Sequence, residues 1–115
     1  MVHLESEVEE IDIILYQAIP CGLLVNELIT NSLKYAWGND DEGTITVKLN
    51  QTESKVTLII ADNGIGLPNS FKDMSSDTLG LQLVETLVEQ LDGELIVNVD
   101  NGTEYLIIFD NLKTL

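Results

Sequence analysis

Three polar side chains in one apolar stretch of the chain, Glu27, Asn31 and Lys34, are spaced by four and three residues. If the stretch is a helix, this spacing places all three on one side of it. A carboxylate, an amide oxygen and an ammonium in one stripe can orient water, ligate a hard cation and contact a phosphate. Taken alone, a stripe of this composition is more often a solvated helix face, which is the competing interpretation.

The segment 62–68, Asp-Asn-Gly-Ile-Gly-Leu-Pro, directly follows the most apolar run of the chain. At the end of a strand, Asp62 would be a fixed acceptor, and a carboxylate that accepts from an exocyclic amine is one way to recognise adenine. Gly64 and Gly66 would let a flat ring or a backbone approach closely, because neither has a Cβ. The Asn-Gly pair is also a turn dipeptide, so an ordinary hairpin is the alternative, although the proline argues against a returning strand.

Two further segments are weaker signals for a ligand. Residues 78–81, Thr-Leu-Gly-Leu, open a predicted helix, where free N–H groups and the helix dipole favour an anion and Gly80 permits close contact. The Gly102-Thr103 pair lies in a predicted hairpin turn, from which Thr103 would reach a ligand on Asp62 through a water molecule. Many helices begin with Thr or Ser, and a Gly-Thr turn is common, so neither segment is specific on its own.

The polar stripe is predicted to lie on a helix over residues 23–36, which follows Pro20 and ends before Gly38. At about 100° per residue one broad face of this helix is apolar, and it carries Leu24, Val25, Leu28, Ile29, Ser32, Leu33 and Ala36. A second helix is predicted over residues 79–91, and Gly93 would terminate it. Each helix therefore has an apolar face to bury.

The remaining apolar patterns predict five strands, over residues 8–15, 44–50, 55–62, 94–100 and 103–109. The run 55–62 is almost continuously apolar, which favours a central place in a sheet, and it is expected to pair with 44–50 as a hairpin. Asn101-Gly102 predicts a hairpin between the last two strands. Two helices cannot cover both faces of a five-stranded sheet, so the predicted fold class is α/β, a two-layer sandwich with both helices on one face.

Composition and charge limit the possible functions. The 115 residues predict one domain over 1–115, and twenty Asp and Glu against five Lys give a net charge of −15. Such a surface repels phosphate backbones, which excludes nucleic acid as a partner, and a phosphate ligand would need a divalent cation and backbone N–H groups beside it. The single cysteine, Cys21, favours a cytoplasmic location. No apolar run approaches the roughly 20 residues of a membrane span, so direct membrane insertion is not expected.

Together, the four segments resemble the GHKL family of ATP-binding domains and, within it, the catalytic domain of sensor histidine kinases. The stretch 19–36 is similar to the N box of the family, 62–66 to its first glycine box, 79–84 to its second and Gly102-Thr103 to its third, in the same order and with the same spacing. The resemblance implies a Bergerat-type fold with a mixed five-stranded sheet.

The resemblance also implies roles at the phosphate end of a nucleotide. Asn31 corresponds to the Mg²⁺ ligand, Glu27 to the position that orients the attacking water in hydrolysing relatives, and Lys34 to the lysine that reaches the phosphates. Glu27 and Lys34 are therefore the implied catalytic residues. Gly80 and Leu81 belong to the second glycine box and are implied to contact the cofactor.

At the adenine end, the resemblance implies that Asp62 accepts from the amino group, that Tyr35 flanks the ring and that Thr103 contacts the same base through water. The other implied cofactor-binding residues, which shape or line the pocket, are Gly64, Gly66 and Leu67. Residues 68–78 correspond to the ATP lid, with Phe71 as its apolar anchor. This lid is short, as in the subgroup whose N box reads Asn-Glu-Leu.

The function that the resemblance implies is that of a protein histidine kinase catalytic domain in the cytoplasm, whether the parent protein is soluble or membrane-anchored. It would bind Mg·ATP and transfer the γ-phosphoryl group to a histidine of a separate dimerisation and phosphoacceptor domain, with a response regulator downstream. His3 stands in an acidic segment without the neighbours of a phosphoacceptor motif and is interpreted as a surface residue. Two alternatives stay open: an anti-sigma-type serine kinase with the same pocket, and a nucleotide-sensing interaction module without phosphoryl transfer.

Overall fold

The computed structural model describes residues 2–35, 42–64 and 79–114, which contain five strands and two helices. The strands are β1 (Val2–Val8), β2 (Gly43–Thr52), β3 (Lys55–Asp62), β4 (Glu94–Val99) and β5 (Thr103–Asp110). The helices are α1 (Leu15–Tyr35) and α2 (Leu79–Gln90). The predictions for β3 and α2 agree with these bounds to within one residue.

The five strands form one mixed sheet in the order β1-β2-β3-β5-β4. β1 runs parallel to β2, and the other three neighbouring pairs are antiparallel. The predicted central place of β3 is confirmed, as are the hairpins β2–β3 and β4–β5. Asn101 and Gly102 turn the second hairpin with φ values of 52° and 128°, positive values that these two residue types tolerate.

One face of the sheet is buried against both helices. Alternate residues of two neighbouring strands point to this face, namely Val56, Leu58 and Ile60 on β3 and Tyr105, Ile107 and Phe109 on β5. They form one cluster with residues of both helices, among them Leu24, Leu28, Val84, Leu87, Val88 and Leu91. The predicted two-layer α/β sandwich is therefore confirmed. At one end of this core, Asp62 and Thr103 lie paired on β3 and β5.

The predicted strand over residues 8–15 is wrong. The first strand lies earlier, at Val2–Val8, and pairs with β2 from Val2 opposite Gly43 to Val8 opposite Leu49. β1 carries apolar residues at three of four alternate positions, Val2, Leu4 and Val8, and this partial period-two pattern competes in the sequence with the denser apolar run 11–15. The denser run instead forms the connection to α1 and its first residue.

The predicted start of the first helix is also wrong, since α1 begins at Leu15 and contains Pro20. Tertiary contacts hold these early turns in place. Nε2 of the buried Gln17 donates to the carbonyl oxygen of Asp110 at 2.7 Å, and Oε1 of Gln17 accepts from the N–H of Leu112 at 3.1 Å. These contacts with the other end of the chain offset the hydrogen bond that a proline removes from a helix interior.

Two sequence predictions fall on residues that the structure does not describe. α1 ends at Tyr35, so the predicted last helical residue, Ala36, lies outside the described part, as does the predicted lid over 68–78. Of the two described helices, neither combines the length and the apolar character that crossing a membrane requires.

Candidate functional site

Asp62, the last residue of β3, accepts hydrogen bonds from three donors in the described part of the chain. Its Oδ1 accepts from the backbone N–H groups of Gly64 at 3.0 Å and Thr103 at 3.3 Å, and its Oδ2 accepts from the hydroxyl of Ser32 at 2.8 Å. Ser32 and Thr103 are each 3% exposed, whereas Asp62 is half-buried. The carboxylate is therefore held in one orientation at the end of a central strand.

Asn63, the residue after Asp62, connects the same strand end to β2 through two hydrogen bonds. The N–H of Asn63 donates to the carbonyl oxygen of Thr44 at 3.3 Å, and its side-chain Oδ1 accepts from the N–H of Thr44 at 2.8 Å. β3 already has β2 on one side and β5 on the other. Among the described residues, both sides of β3 are therefore occupied by neighbouring strands.

Gly102 packs directly against the backbone of Asp62. A Cβ at Gly102 would overlap the carbonyl oxygen of Asp62 and lie 2.9 Å from its carbonyl carbon, and the φ of Gly102 is +128°. Only glycine fits, because any side chain would meet backbone atoms and would need a conformation that L-residues rarely adopt. The turn between β4 and β5 thus supports the strand end that carries the carboxylate.

We expect Gly102→Ala to lower the free energy of unfolding by about 1–3 kcal/mol from backbone strain alone, and to weaken any ligand binding at Asp62. The matched control is Gly22→Ala in α1, where an added Cβ meets nothing within 4 Å. This control should raise the free energy of unfolding by about 0.5–1 kcal/mol, because alanine favours the helix. Urea denaturation measures both changes. Equal urea midpoints for Gly102→Ala and the native chain would contradict the close approach of Gly102 to the backbone of Asp62.

Helix α1 brings the predicted polar stripe to the same end of the sheet. Glu27 and Asn31 are half-buried, and Lys34 is exposed. Ser32 follows Asn31 in the helix, so its hydrogen bond to Asp62 places this turn of α1 against the end of β3. The structure thus brings together the helical segment that carries the stripe and the strand end that carries the acceptor.

Of the remaining sequence-predicted site residues, several fall outside the described part of the chain, and others lie at the ends of the two helices. The residues outside the described part are Gly66, Leu67 and the lid 68–78 with Phe71. Gly80 and Leu81 lie in the first turn of α2, and Tyr35 is the last residue of α1. His3 is exposed on β1, as predicted for a surface residue.

Residues 17–113 match the family model of the histidine kinase-, DNA gyrase B- and HSP90-like ATPases. The chain belongs to this family. The matched range includes α2 and four of the five strands, β1 being the exception. The family that the four sequence segments predict is confirmed, and membership of this ATPase family implies that the domain binds a nucleotide.

Histidine kinases are among the proteins that this ATPase domain is similar to. It is 36% identical over 75 residues to the sensor histidine kinase PdtaS of Mycobacterium tuberculosis (strain CDC 1551 / Oshkosh), a match that covers 64% of this chain and 15% of the kinase. Its fold matches the solved histidine kinase domain of the Erythrobacter litoralis EL346 blue-light activated histidine kinase with a TM-score of 0.88 and 25% identity, over 98% of this chain and 53% of that chain.

An anti-sigma factor is similar as well. The anti-sigma F factor of Clostridium beijerinckii (strain ATCC 51743 / NCIMB 8052) is 29% identical over 93 residues, which are 72% of this chain and 64% of that protein. The chain spans less than two thirds of each of these three proteins.

The residues present at the site of this ATPase domain fit a purine nucleotide and a hard cation. The fixed carboxylate of Asp62 is an acceptor for an amino group, and Asn31 offers an amide oxygen, which is a ligand type that Mg²⁺ accepts. Lys34 adds a positive charge near the end of the same helix. The net charge of −15 opposes phosphate binding, so a divalent cation would strengthen it.

Sequence reasoning did not single out Ser32, which contacts Asp62, or Tyr105, whose pKa responds to the charge of Asp62. Tyr105 is 2% exposed and follows Thr103 on β5 by two residues. Burial, and then the negative charge of Asp62, raise the pKa of Tyr105 to about 12. The signal for Ser32 was its place on the apolar helix face, because a buried hydroxyl needs a hydrogen-bond partner.

The raised pKa of Tyr105 predicts a loss of stability at high pH. Above pH 10 an unfolded tyrosine releases its proton while folded Tyr105 keeps it up to about pH 12, so the free energy of unfolding falls between these values. This contribution amounts to about 2–3 kcal/mol. The free energy of unfolding of Tyr105→Phe should therefore fall less between pH 10 and pH 12 than that of the native chain. Urea denaturation at a series of pH values measures the difference. If the free energy of unfolding fell equally with pH in the two proteins, the raised pKa of Tyr105 would be contradicted.

Proposed function

We propose that this domain binds Mg·ATP between α1, the end of β3 and the segment 68–78, and donates the γ-phosphoryl group to a histidine of a separate dimerisation and phosphoacceptor domain. The observation that carries the proposal is the hydrogen bond of 2.8 Å between Ser32 and Asp62. It joins the helix with the polar stripe to the strand with the fixed acceptor, so that one ligand can contact both. The similarity to sensor histidine kinases supports the same function.

At the adenine end, the carboxylate of Asp62 accepts from the exocyclic amino group. Thr103 supports this contact through its N–H, which holds Oδ1 of Asp62, and its side chain contacts the same base through water. Gly64 leaves room for the flat ring, since it has no Cβ. Tyr35 flanks the ring, and Gly66 and Leu67 complete the pocket.

At the phosphate end, the amide oxygen of Asn31 would hold a Mg²⁺ ion. When bound there, this ion would supply positive charge that offsets the negative charge of the triphosphate. Lys34 contacts the phosphates, and backbone N–H groups in the first turn of α2, at Gly80 and Leu81, add further donors. Glu27 lies one helical turn before Asn31 and orients the attacking group. Catalysis of this kind consists mostly of positioning and charge neutralisation.

The partners in this proposal follow from the reaction. The acceptor histidine belongs to the dimerisation domain of the parent kinase, and a response regulator receives the phosphoryl group in a two-component system. In this function the domain works in the cytoplasm, where ATP is available.

The test is to mix the domain with the histidine-containing dimerisation domain of its parent protein and ATP labelled at the γ-phosphate. We expect label on the acceptor domain that is lost in acid and kept in base, as a phosphoramidate should be. The matched control replaces the acceptor histidine with glutamine. Absence of label on the acceptor, in a preparation that binds ATP, would contradict phosphoryl transfer and favour a nucleotide-sensing interaction module.

A second candidate is an anti-sigma-type serine kinase, which the similarity to the Clostridium beijerinckii anti-sigma F factor favours. The pocket is the same, and the acceptor is a serine of a partner protein. The chemistry of the product separates the two candidates, because a phosphoserine is stable in acid whereas a phosphohistidine is not.

A further inference from the structure

Helix α1 exposes a patch of large apolar side chains. The patch lies on one side of the first half of the helix, within an arc of about 100°, and consists of Leu15 (73% exposed), Tyr16 (68%), Ile19 (55%) and Leu23 (48%). None of the four belongs to the core cluster that the described residues form. A contiguous exposed apolar patch of this kind is typical of a surface that a partner protein covers.

This apolar patch leads to the proposed phosphate end of the nucleotide site. Glu27 follows Leu23 by about one helical turn on the same side of α1, and Lys34 follows it by about three turns. From Leu15 to Leu23 the patch is about 12 Å long, which matches about two turns of a partner helix. A partner helix on the patch therefore lies beside the residues that the proposed transfer uses.

Acidic side chains stand at both ends of the apolar patch. The connection before α1 carries Glu9, Glu10 and Asp12, which are all exposed, and Glu27 follows the patch. Residues 9–27 contain no lysine and no arginine. The partner surface that complements this pattern is apolar at its centre and basic at its ends.

The same charges disfavour a second copy of this chain as the partner. In a two-fold symmetric contact each patch faces its own equivalent. The acidic ends of one copy would then lie against the acidic ends of the other, in whichever direction the two helices run. Each copy also has a net charge of −15, so the contact would have to overcome repulsion as well.

We infer that the apolar patch of α1 docks a helix of the histidine-containing acceptor domain, and that this helix carries apolar side chains flanked by Lys or Arg. The inference rests on the proposed function and adds to it the surface that holds the acceptor. Docking on the patch supplies affinity for the acceptor through apolar burial and needs no contact with ATP. Binding of the acceptor and binding of ATP are therefore separable by substitution.

The test is the double substitution Ile19→Gln with Leu23→Gln. It removes apolar surface from the middle and end of the patch and introduces a residue type that favours a helix. Labelled ATP and increasing amounts of the acceptor domain give kcat and the KM for the acceptor. We expect this KM to rise roughly 10- to 100-fold, because two apolar contacts are lost. The kcat at saturating acceptor, and the ATP affinity measured by calorimetry, should stay those of the native domain.

The matched control is Ile96→Gln on β4, at a position that is 42% exposed. Ile96 lies on the sheet face away from the helices, because it pairs with Leu106, the neighbour of the inward-facing Tyr105. This variant loses the same side chain as Ile19→Gln and should keep the native KM. Thermal melts show whether the compared variants are equally folded.

Two measurements on the native domain need no substitution. Amide NMR signals of residues 15–23 should shift when unlabelled acceptor domain is added. The KM for the acceptor should rise with ionic strength, because salt screens the attraction between the acidic ends of the patch and a basic partner.

Failure of this inference and failure of the proposed function give different results. If the native domain transfers the label and the double variant keeps the native KM, or if the NMR shifts lie away from residues 15–23, the inference is overturned. A KM that does not change with salt overturns the basic chemistry of the partner. A native domain that sediments as a dimer, and as a monomer after the double substitution, assigns the patch to a second copy and overturns the inference as well. If the native domain binds ATP but transfers no label, the proposed function fails, and the NMR shifts still decide whether the acceptor docks on the patch.

Discussion

Asp62→Asn should weaken ATP binding by roughly 10- to 100-fold. The substitution removes the negative charge, and it also puts a hydrogen-bond donor where the carboxylate has an acceptor. Oδ1 of Asp62 accepts two backbone N–H groups, so an amide has to place its own NH₂ at the Oδ2 position. There it would face the amino group of adenine, donor against donor. A charge-assisted hydrogen bond worth about 1.5–3 kcal/mol would be lost, which corresponds to the roughly 10- to 100-fold loss of affinity. Calorimetry measures this change in the dissociation constant.

The matched control for this substitution is Asp110→Asn. Asp110 lies at the opposite end of the same strand pair, directly across from Lys55, with which it forms an exposed ion pair at 2.8 Å. Exposed pairs contribute about 0–1 kcal/mol, and this one is far from the site, so ATP affinity should stay the same. The Asp62→Asn variant should also bind ITP better relative to ATP, because inosine carries an acceptor at C6. An unchanged affinity for ATP would rule out Asp62 as the adenine acceptor.

Asn31→Ala should lower phosphoryl transfer by roughly 100- to 1,000-fold, the loss typical of removing one group that stabilises transition-state charge. Asn31 provides the amide oxygen of the proposed metal site, and a net charge of −15 leaves the chain few other means of neutralising a triphosphate. ATP affinity of the variant in Mg²⁺ should fall towards that of the native domain in a chelator. Labelled ATP measures the transfer, and calorimetry measures the binding.

The control for Asn31 is Asn26→Ala on the same helix, where Asn26 is exposed. It removes the same amide from α1 and should change neither transfer nor affinity. A native domain that bound ATP equally well in Mg²⁺ and in chelator would contradict the role of the metal, and an Asn26→Ala variant as impaired as Asn31→Ala would contradict the specific role of Asn31.

The sheet and both helices were largely predictable because local patterns dominate there. The nearly continuous apolar run 55–62 requires burial, and the Asn101-Gly102 pair supplies the positive φ values that the observed turn uses. The N-terminal part was not predictable in the same way. The dense apolar run 11–15 outweighed the sparser alternation of β1, and the early start of α1 depends on contacts of Gln17 with Asp110 and Leu112, which lie more than 90 residues later.

In the candidate site, too, local patterns predicted some features, whereas others depend on contacts between distant parts of the chain. Spacing alone predicted that Glu27 and Asn31 share a helix side, and the apolar run predicted Asp62 at a strand end. The contact of Ser32 with Asp62 spans 30 residues, and the packing of Gly102 against Asp62 depends on how two hairpins meet. Such contacts exist only after the sheet has assembled. A local pattern can therefore mark Ser32 as a buried hydroxyl that needs a partner, but it does not identify Asp62 as that partner.

The most direct measurement is a crystal structure of the domain with Mg²⁺ and a non-hydrolysable ATP analogue. It should show the adenine amino nitrogen within hydrogen-bond distance of Oδ2 of Asp62, with the metal bound by the amide oxygen of Asn31 and by phosphate oxygens. A nucleotide bound with its base away from Asp62, or a metal that does not contact Asn31, would contradict the proposed site.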